Sequence, residues 1–161
     1  MRFELKEGME PYHGKPFPVP QILMDTLKRE LLRLVELGVL VCQPESEWGS
    51  PTFIMPKKNM TVRFISDFRE VNKRLKRKPF PISKISDILQ KLQGFQFATA
   101  LDLNMGYYMI RLDPTASRIC TIVLPWGKYS YLRLPMGIAG LPNIFQEKMS
   151  GLMGDLEFVR T

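Results

Sequence analysis

The apolar run Phe97-Ala98-Thr99-Ala100-Leu101 delivers a single carboxylate, Asp102, followed four residues later by a Gly106-Tyr107 pair. An aspartate at the end of a strand is a convenient place to hold a hard cation. Group transfer assisted by two metal ions needs several carboxylates converging on ions about 3.5–4 Å apart. Magnesium suits oxygen ligands and takes only a few of them from protein. Asp102 fits one such ligand, yet no Asp-Asp pair occurs in the 161 residues. Taken alone, an aspartate after a strand is more often a turn residue. The carboxylates that follow do not replace a pair. Asp113 precedes Pro114 and carries the signature of a helix N-cap, and Glu147, Asp155 and Glu157 fall in the terminal helix or its exit. Other chemistries are excluded more simply. The one histidine, His13, lies in a proline-rich arm, which argues against Ser-His-Asp hydrolysis, and Cys42 and Cys120 have neither zinc-like nor redox-like spacing.

These residues need elements to position them. Pro11, Pro16, Pro18 and Pro20 make residues 1–20 an extended arm. Leu23, Leu27, Leu31, Leu34 and Val35 step by three or four, and Gly38 supplies a left-handed stop, so the spacing predicts a helix over 21–37. Short strands are expected over 39–43, 52–55 and 62–68, the last two forming a hairpin with Lys57 and Lys58 at its tip. Ile82, Ile85, Ile88, Leu89 and Leu92 predict a second helix closed by Gly94, and the strand ending in Asp102 follows. After a short helix from Pro114, residues 119–124 and 128–134 form another hairpin around Pro125-Trp126-Gly127. A last helix opens at Pro142 and ends at Gly154. This mixture lacks the regular alternation of a doubly wound sheet, and the fold class is α+β, helices packed on short antiparallel hairpins.

The composition is that of a folded chain, 45% hydrophobic, with 23 Lys plus Arg against 16 Asp plus Glu. The resulting charge of +7 favours an anionic partner such as nucleic acid. Lys73-Arg74-Leu75-Lys76-Arg77-Lys78 places five cations in six positions, as a solvated loop or as a grip on phosphate. Trp126, Tyr129 and Tyr131 read as packing around a hairpin before they read as stacking platforms. No apolar run approaches the roughly 18–20 residues of a membrane span, and the start lacks a signal-peptide core. The chain is expected to be intracellular, cytoplasmic or nuclear, with no membrane partner.

From about Pro11 to Thr161 several motifs stand in a fixed order: Gly49-Ser50-Pro51 with Pro56-Lys57-Lys58, then Arg63-Phe64-Ile65-Ser66-Asp67-Phe68-Arg69-Glu70-Val71-Asn72. Pro79-Phe80-Pro81-Ile82, Leu101-Asp102-Leu103 with Gly106-Tyr107, and Leu134-Pro135-Met136-Gly137 with Pro142 and Phe145-Gln146 follow. Together they resemble the reverse transcriptase of gypsy-type long-terminal-repeat retrotransposons. The resemblance implies a right-hand polymerase: fingers mainly over 21–96, and a partial palm with an inserted fingers-side hairpin over 97–161. It implies magnesium, with manganese as a substitute, a deoxynucleoside triphosphate, an RNA or DNA template-primer, and the rest of a polyprotein as partner.

The same resemblance assigns roles. Asp102 would be the catalytic, metal-binding aspartate, Lys57 and Arg63 would grip the triphosphate, and Gly106 with Tyr107 would form the platform that crowds a ribose 2′-hydroxyl. Met136 and Gly137 would line the nucleotide pocket, and Lys73, Arg74, Lys76, Arg77 and Lys78 would hold template phosphate. Asp67 and Arg69 match the family too, and fit a structural ion pair equally well. The family places a tyrosine-x-aspartate-aspartate turn just beyond a segment like Leu156–Thr161, so this chain is expected to be a truncated palm, inactive alone, with Phe97 and Leu101 uncovered. The rival readings are a non-catalytic nucleic-acid-binding module and a protein-interaction remnant. Met60, Met109 and Ala139-Gly140-Leu141 depart from the family's usual residues.

Overall fold

The structure, a computed structural model, describes residues 1–56, 62–77, 85–91, 94, 96–97, 99–103, 105–156 and 159. The chain divides into two compact units, Met1–Lys76 with Gly106–Ala139, and Arg77–Met105 with Gly140–Thr161.

The first unit is built on a five-stranded sheet of β1 (Leu40–Cys42), β2 (Ser50–Pro56), β3 (Val62–Ser66), β4 (Thr121–Leu124) and β5 (Gly127–Tyr131), in the order β1-β5-β4-β2-β3. The expected hairpins are present, β2 with β3 and β4 with β5, both antiparallel. One junction was not anticipated: β2 pairs with β4 in parallel, Ser50 opposite Ile122 and Pro51 opposite Val123. That pairing joins the two hairpins into one sheet, and a parallel pair of this kind leaves no short-range turn signal in a sequence.

Helix α1 (Gln21–Glu36) covers the sheet with Leu27, Leu31 and Leu34, all buried. It ends where glycine permits. Gly38 sits at φ 62°, the Val39 N–H reaches the Leu34 carbonyl at 2.9 Å and the Gly38 N–H reaches Val35 at 2.9 Å. These two bonds are the Schellman closure, and they start the chain toward β1. Trp126 and Tyr129 pack on this core and Tyr131 lies inside it, so the hairpin aromatics serve packing. Several buried hydroxyls are satisfied in chains, though Ser50 Oγ has no partner. Thr121 Oγ1 bonds Ser46 and Ser130, and Ser66 Oγ bridges Thr52 and Tyr131 at 3.3 and 3.2 Å.

Two expectations change here. Strand β3 stops at Ser66, and α2 (Arg69–Arg74) begins three residues on, so Lys73 and Arg74 lie in a helix and not in a loop. The cause is Asp67, whose Oδ1 accepts the Arg69 backbone N–H at 3.2 Å and turns the chain out of the sheet. The N-terminal arm is extended, as its prolines require, but it is also docked. Leu5 bridges to Leu75 and His13 to Gly49, while Phe3, Leu5, Tyr12 and Val19 pack on the core. Farther along, Asp113 caps α4 (Pro114–Ile119), accepting the Ala116 N–H at 2.8 Å.

In the second unit the described residues include α3 (Ile85–Lys91) and α5 (Leu141–Met153), with Pro142 in the first turn of α5. Among the described residues the strand expected to end at Asp102 is not formed. Residues 99–103 join no ladder among the described residues, and Phe97 and Leu101 are 89% and 88% exposed. An apolar run becomes a strand only through a hydrogen-bonded neighbour, which periodicity by itself does not supply.

Candidate nucleotide and nucleic-acid site

The best-defined local geometry lies where the end of β3, helix α2 and the loop Pro135–Ala139 meet. Asn72 projects from α2, donates Nδ2–H to the Gly137 carbonyl at 2.7 Å and accepts the Ala139 N–H on Oδ1 at 2.7 Å. One amide thus fixes both sides of the turn that carries Met136 and Gly137. Gly137 stands at φ 94°, and a Cβ there would meet the Ser66 carbonyl at 3.4 Å and the Phe68 ring at 3.6 Å. The turn needs glycine for its dihedral, since a Cβ there would make only ordinary contacts. Met136 is left exposed beside it.

Asp67, just past the end of β3, and Arg69, the first residue of α2, form a bidentate pair with Nε at 2.8 Å and Nη2 at 2.6 Å from the two carboxylate oxygens. Arg69 holds the Asp67 carboxyl below the usual range. The structural ion pair weighed for these residues is present, at the strand exit. Glu70 takes Lys73 at 2.5 Å and Arg74 at 2.9 Å, and both bonds hold its carboxyl low, Lys73 first. Arg74 also reaches the Glu10 carbonyl at 3.1 Å and lies 5.3 Å from the centroid of the Tyr12 ring. Two of the five cations of the basic run therefore have partners inside the molecule. Lys76 and Arg77 are exposed, and Lys78 lies outside the described residues.

Arg63 is exposed on β3 opposite Met55, whereas Lys57 and Met60 fall outside the described residues. Gly106 and Tyr107 begin a turn of 3-10 helix over Gly106–Met109, closed by the Ile110 N–H on the Tyr107 carbonyl at 3.1 Å. Next to them Tyr108 stacks on buried Tyr131 at 6.3 Å, and burial raises the pKa of both phenols. Asp102 is an exposed carboxylate of the second unit. Among the described residues no three His, Cys, Asp or Glu side chains gather in a way that could hold a metal. One exposed carboxylate does not make a two-ion site, so the residues described do not fit magnesium by themselves.

Sequence reasoning quoted Asn72 in a motif but gave it no role. The available signal was an asparagine two residues after the Arg69-Glu70 pair, in a short helix that was not expected there.

The fold is that of a reverse transcriptase. The chain superposes on the native prototype foamy virus protease-reverse transcriptase with a TM-score of 0.84 and 23% identity, over 98% of this chain and 21% of that one. A CSH mutant of the same protein gives 0.84 and 24% over 96% and 21%. The sequence relatives narrow the resemblance to retrotransposons of the gypsy type. The chain is 29% identical to the retrovirus-related Pol polyprotein from transposon 412 of Drosophila melanogaster over 154 residues, 92% of this chain. It is 27% identical to the transposon Tf2-3 polyprotein of Schizosaccharomyces pombe over 96% of its length. It spans 12% of the length of each of these relatives. No family model matches the chain. No helix among the described residues is long and apolar enough to cross a membrane.

Proposed function

We propose that this chain is the fingers and truncated palm of a reverse transcriptase carried in a retrotransposon polyprotein. The observation that carries the reading is the similarity to a retrotransposon Pol polyprotein over 92% of the chain. In the intact enzyme the reaction would add deoxynucleotides to a primer on an RNA or DNA template, with the rest of the polyprotein as partner. Fingers would occupy mainly 21–96 and the partial palm 97–161.

Within that enzyme, Arg63 and Lys57 would take triphosphate oxygens, one as a planar fork and the other as a point charge. Tyr107, presented by the turn at Gly106, would crowd a ribose 2′-hydroxyl, and the Asn72-fixed turn would present Met136 and Gly137 to the nucleotide. Lys76 and Arg77 would hold template phosphate together with Lys78, and Lys73 and Arg74 would do so once released from Glu70. In the intact enzyme Asp102 would be one ligand of a magnesium ion, and further carboxylates would be needed to hold it. Because the sequence has no adjacent aspartates, the chain on its own is expected to bind nucleic acid without polymerising.

The test pairs two assays on the purified chain: primer extension in magnesium or manganese, and anisotropy of a labelled primer-template over a salt series. Salt-dependent binding without extension is the expected result. Extension would overturn the inactive part of the reading. Absence of any salt-dependent association would remove nucleic acid altogether and favour a protein-interaction remnant.

A further inference from the structure

We propose that Arg111 and Arg133 form a pair that grips one phosphate group of a nucleic-acid backbone, an inference that rests on the nucleic-acid reading above. The two residues stand directly opposite each other in an isolated antiparallel bridge of the first unit. The flanking bonds are Leu112 N–H to the Leu132 carbonyl and Leu134 N–H to the Ile110 carbonyl, each 2.9 Å. Bonds that flank a pair without joining it mark the non-hydrogen-bonded register, in which facing side chains come closest, with Cα atoms about 4.5 Å apart.

Leu134 is buried and Leu112 packs on the core, but a bend at Leu132 breaks the alternation beyond β5, where Tyr131 is buried and Leu132 is exposed. Arg111 is exposed and Arg133 half-buried. Like charges directly opposite one another destabilise a strand pair. Nothing in the unit offsets them: neither guanidinium has a hydrogen bond or an ion pair among the described residues. The carboxylate two residues along, Asp113, accepts the Ala116 N–H on Oδ1 at 2.8 Å and pairs with Arg2, whose Nε lies 3.2 Å from Oδ2, an oxygen that accepts no hydrogen bond.

Two opposed cations without a counter-ion cost the fold and serve an anion. The two charged oxygens of a backbone phosphate each accept more than one N–H, so one phosphate can receive two planar forks at once. The net charge of +7 draws the same ligand to the surface.

The experiment is binding of a fluorescein-labelled duplex by the full chain over a salt series, for the unmodified protein, Arg111→Gln, Arg133→Gln and the double variant. Each single variant is expected to weaken binding about tenfold, the loss of one charge-assisted contact. Each single variant leaves the other arginine on the same phosphate and should change the log-log salt slope little, whereas the double variant should lose about 0.9, one phosphate's worth. Slopes that fall additively would assign them to separate phosphates and overturn the shared grip. Single variants that bind as the unmodified chain does would overturn it as well. If the unmodified chain does not bind, the nucleic-acid reading itself fails, a distinguishable result. Thermal melts give a second readout. Without duplex the variants should melt no lower than the unmodified chain, since a repulsion has been removed; a lower melting point would overturn the assignment of these arginines as an unbalanced pair.

Discussion

Asn72 makes two bonds with one amide, and each is lost differently. Asn72→Ala removes both and leaves the Ala139 N–H without its partner, for an expected loss of about 1–3 kcal/mol in denaturant unfolding. Asn72→Asp keeps an acceptor for Ala139 but sets a carboxylate against the Gly137 carbonyl, so it should not rescue stability. Gly137→Ala should cost about 1–2 kcal/mol through its left-handed backbone alone. A fully stable Ala variant would show that the turn is not held where Asn72 holds it. Acidification tests the neighbouring pair. Arg69 depresses the folded pKa of Asp67, so that stabilisation is complete above the ordinary carboxylate value, about 3.9, and vanishes as pH falls through the lower folded value. Glu70, held low by Lys73 and then Arg74, acts in the same direction. Melting temperature should stay level down to about pH 4 and then decline, less steeply in Asp67→Asn. At this scale the sequence was legible where a group acts on its near neighbours. The Asp113 cap and the Asp67–Arg69 pair were readable, but Asn72 bonds a residue 65 positions away and no spacing rule reaches that far.

The docked arm explains why one element was half legible. Prolines at 11, 16, 18 and 20 mark residues 1–20 as extended, and they drew attention from an alternation just before them. Met1, Phe3 and Leu5 are half-buried while Arg2, Glu4 and Lys6 are exposed, the period of a strand. The arm bonds the end of α2, Lys6 N–H to the Arg74 carbonyl and Lys76 N–H to the Glu4 carbonyl, both 2.8 Å. It therefore fixes the start of the basic run. Replacing Phe3 and Leu5 together by serine should cost about 2 kcal/mol, given partial burial of each. The charge of the run is tempered by Glu70, which occupies Lys73 and Arg74. Glu70→Gln should tighten duplex binding and steepen the salt slope by up to about 1.8 if both freed cations find phosphates. A slope unchanged by this substitution would remove Lys73 and Arg74 from the binding surface. The strand expected before Asp102 shows the opposite limit, since its composition was right and its pairing partner was not encoded in the segment itself.

The two units differ in what they bury. The first encloses Leu27, Leu31, Leu34, Phe68, Ile119, Ile122 and Tyr131 around a five-stranded sheet. Among the residues of the second whose side chains are described, Leu141 alone is buried, while Phe97, Leu101 and Leu152 are exposed. Opening free energy follows buried apolar contact, so the units should not be equally protected. Native-state hydrogen exchange should find the slowest amides in β2, β4, β5 and the middle of α1. Amides of α3 and α5 should exchange orders of magnitude faster, since helices of 7 and 13 residues have little intrinsic stability without burial. Uniform protection across both sets would mean that the second unit is held by something other than its own core. The contrast also bears on the proposed division of labour. The Asn72-fixed turn, Tyr107, Arg63 and the opposed Arg111–Arg133 pair all belong to the well-buried unit, and Asp102 to the sparsely buried one. Binding should therefore survive mild denaturant that already frees the amides around Asp102, and an exchange series run with and without duplex would reveal whether the two losses separate.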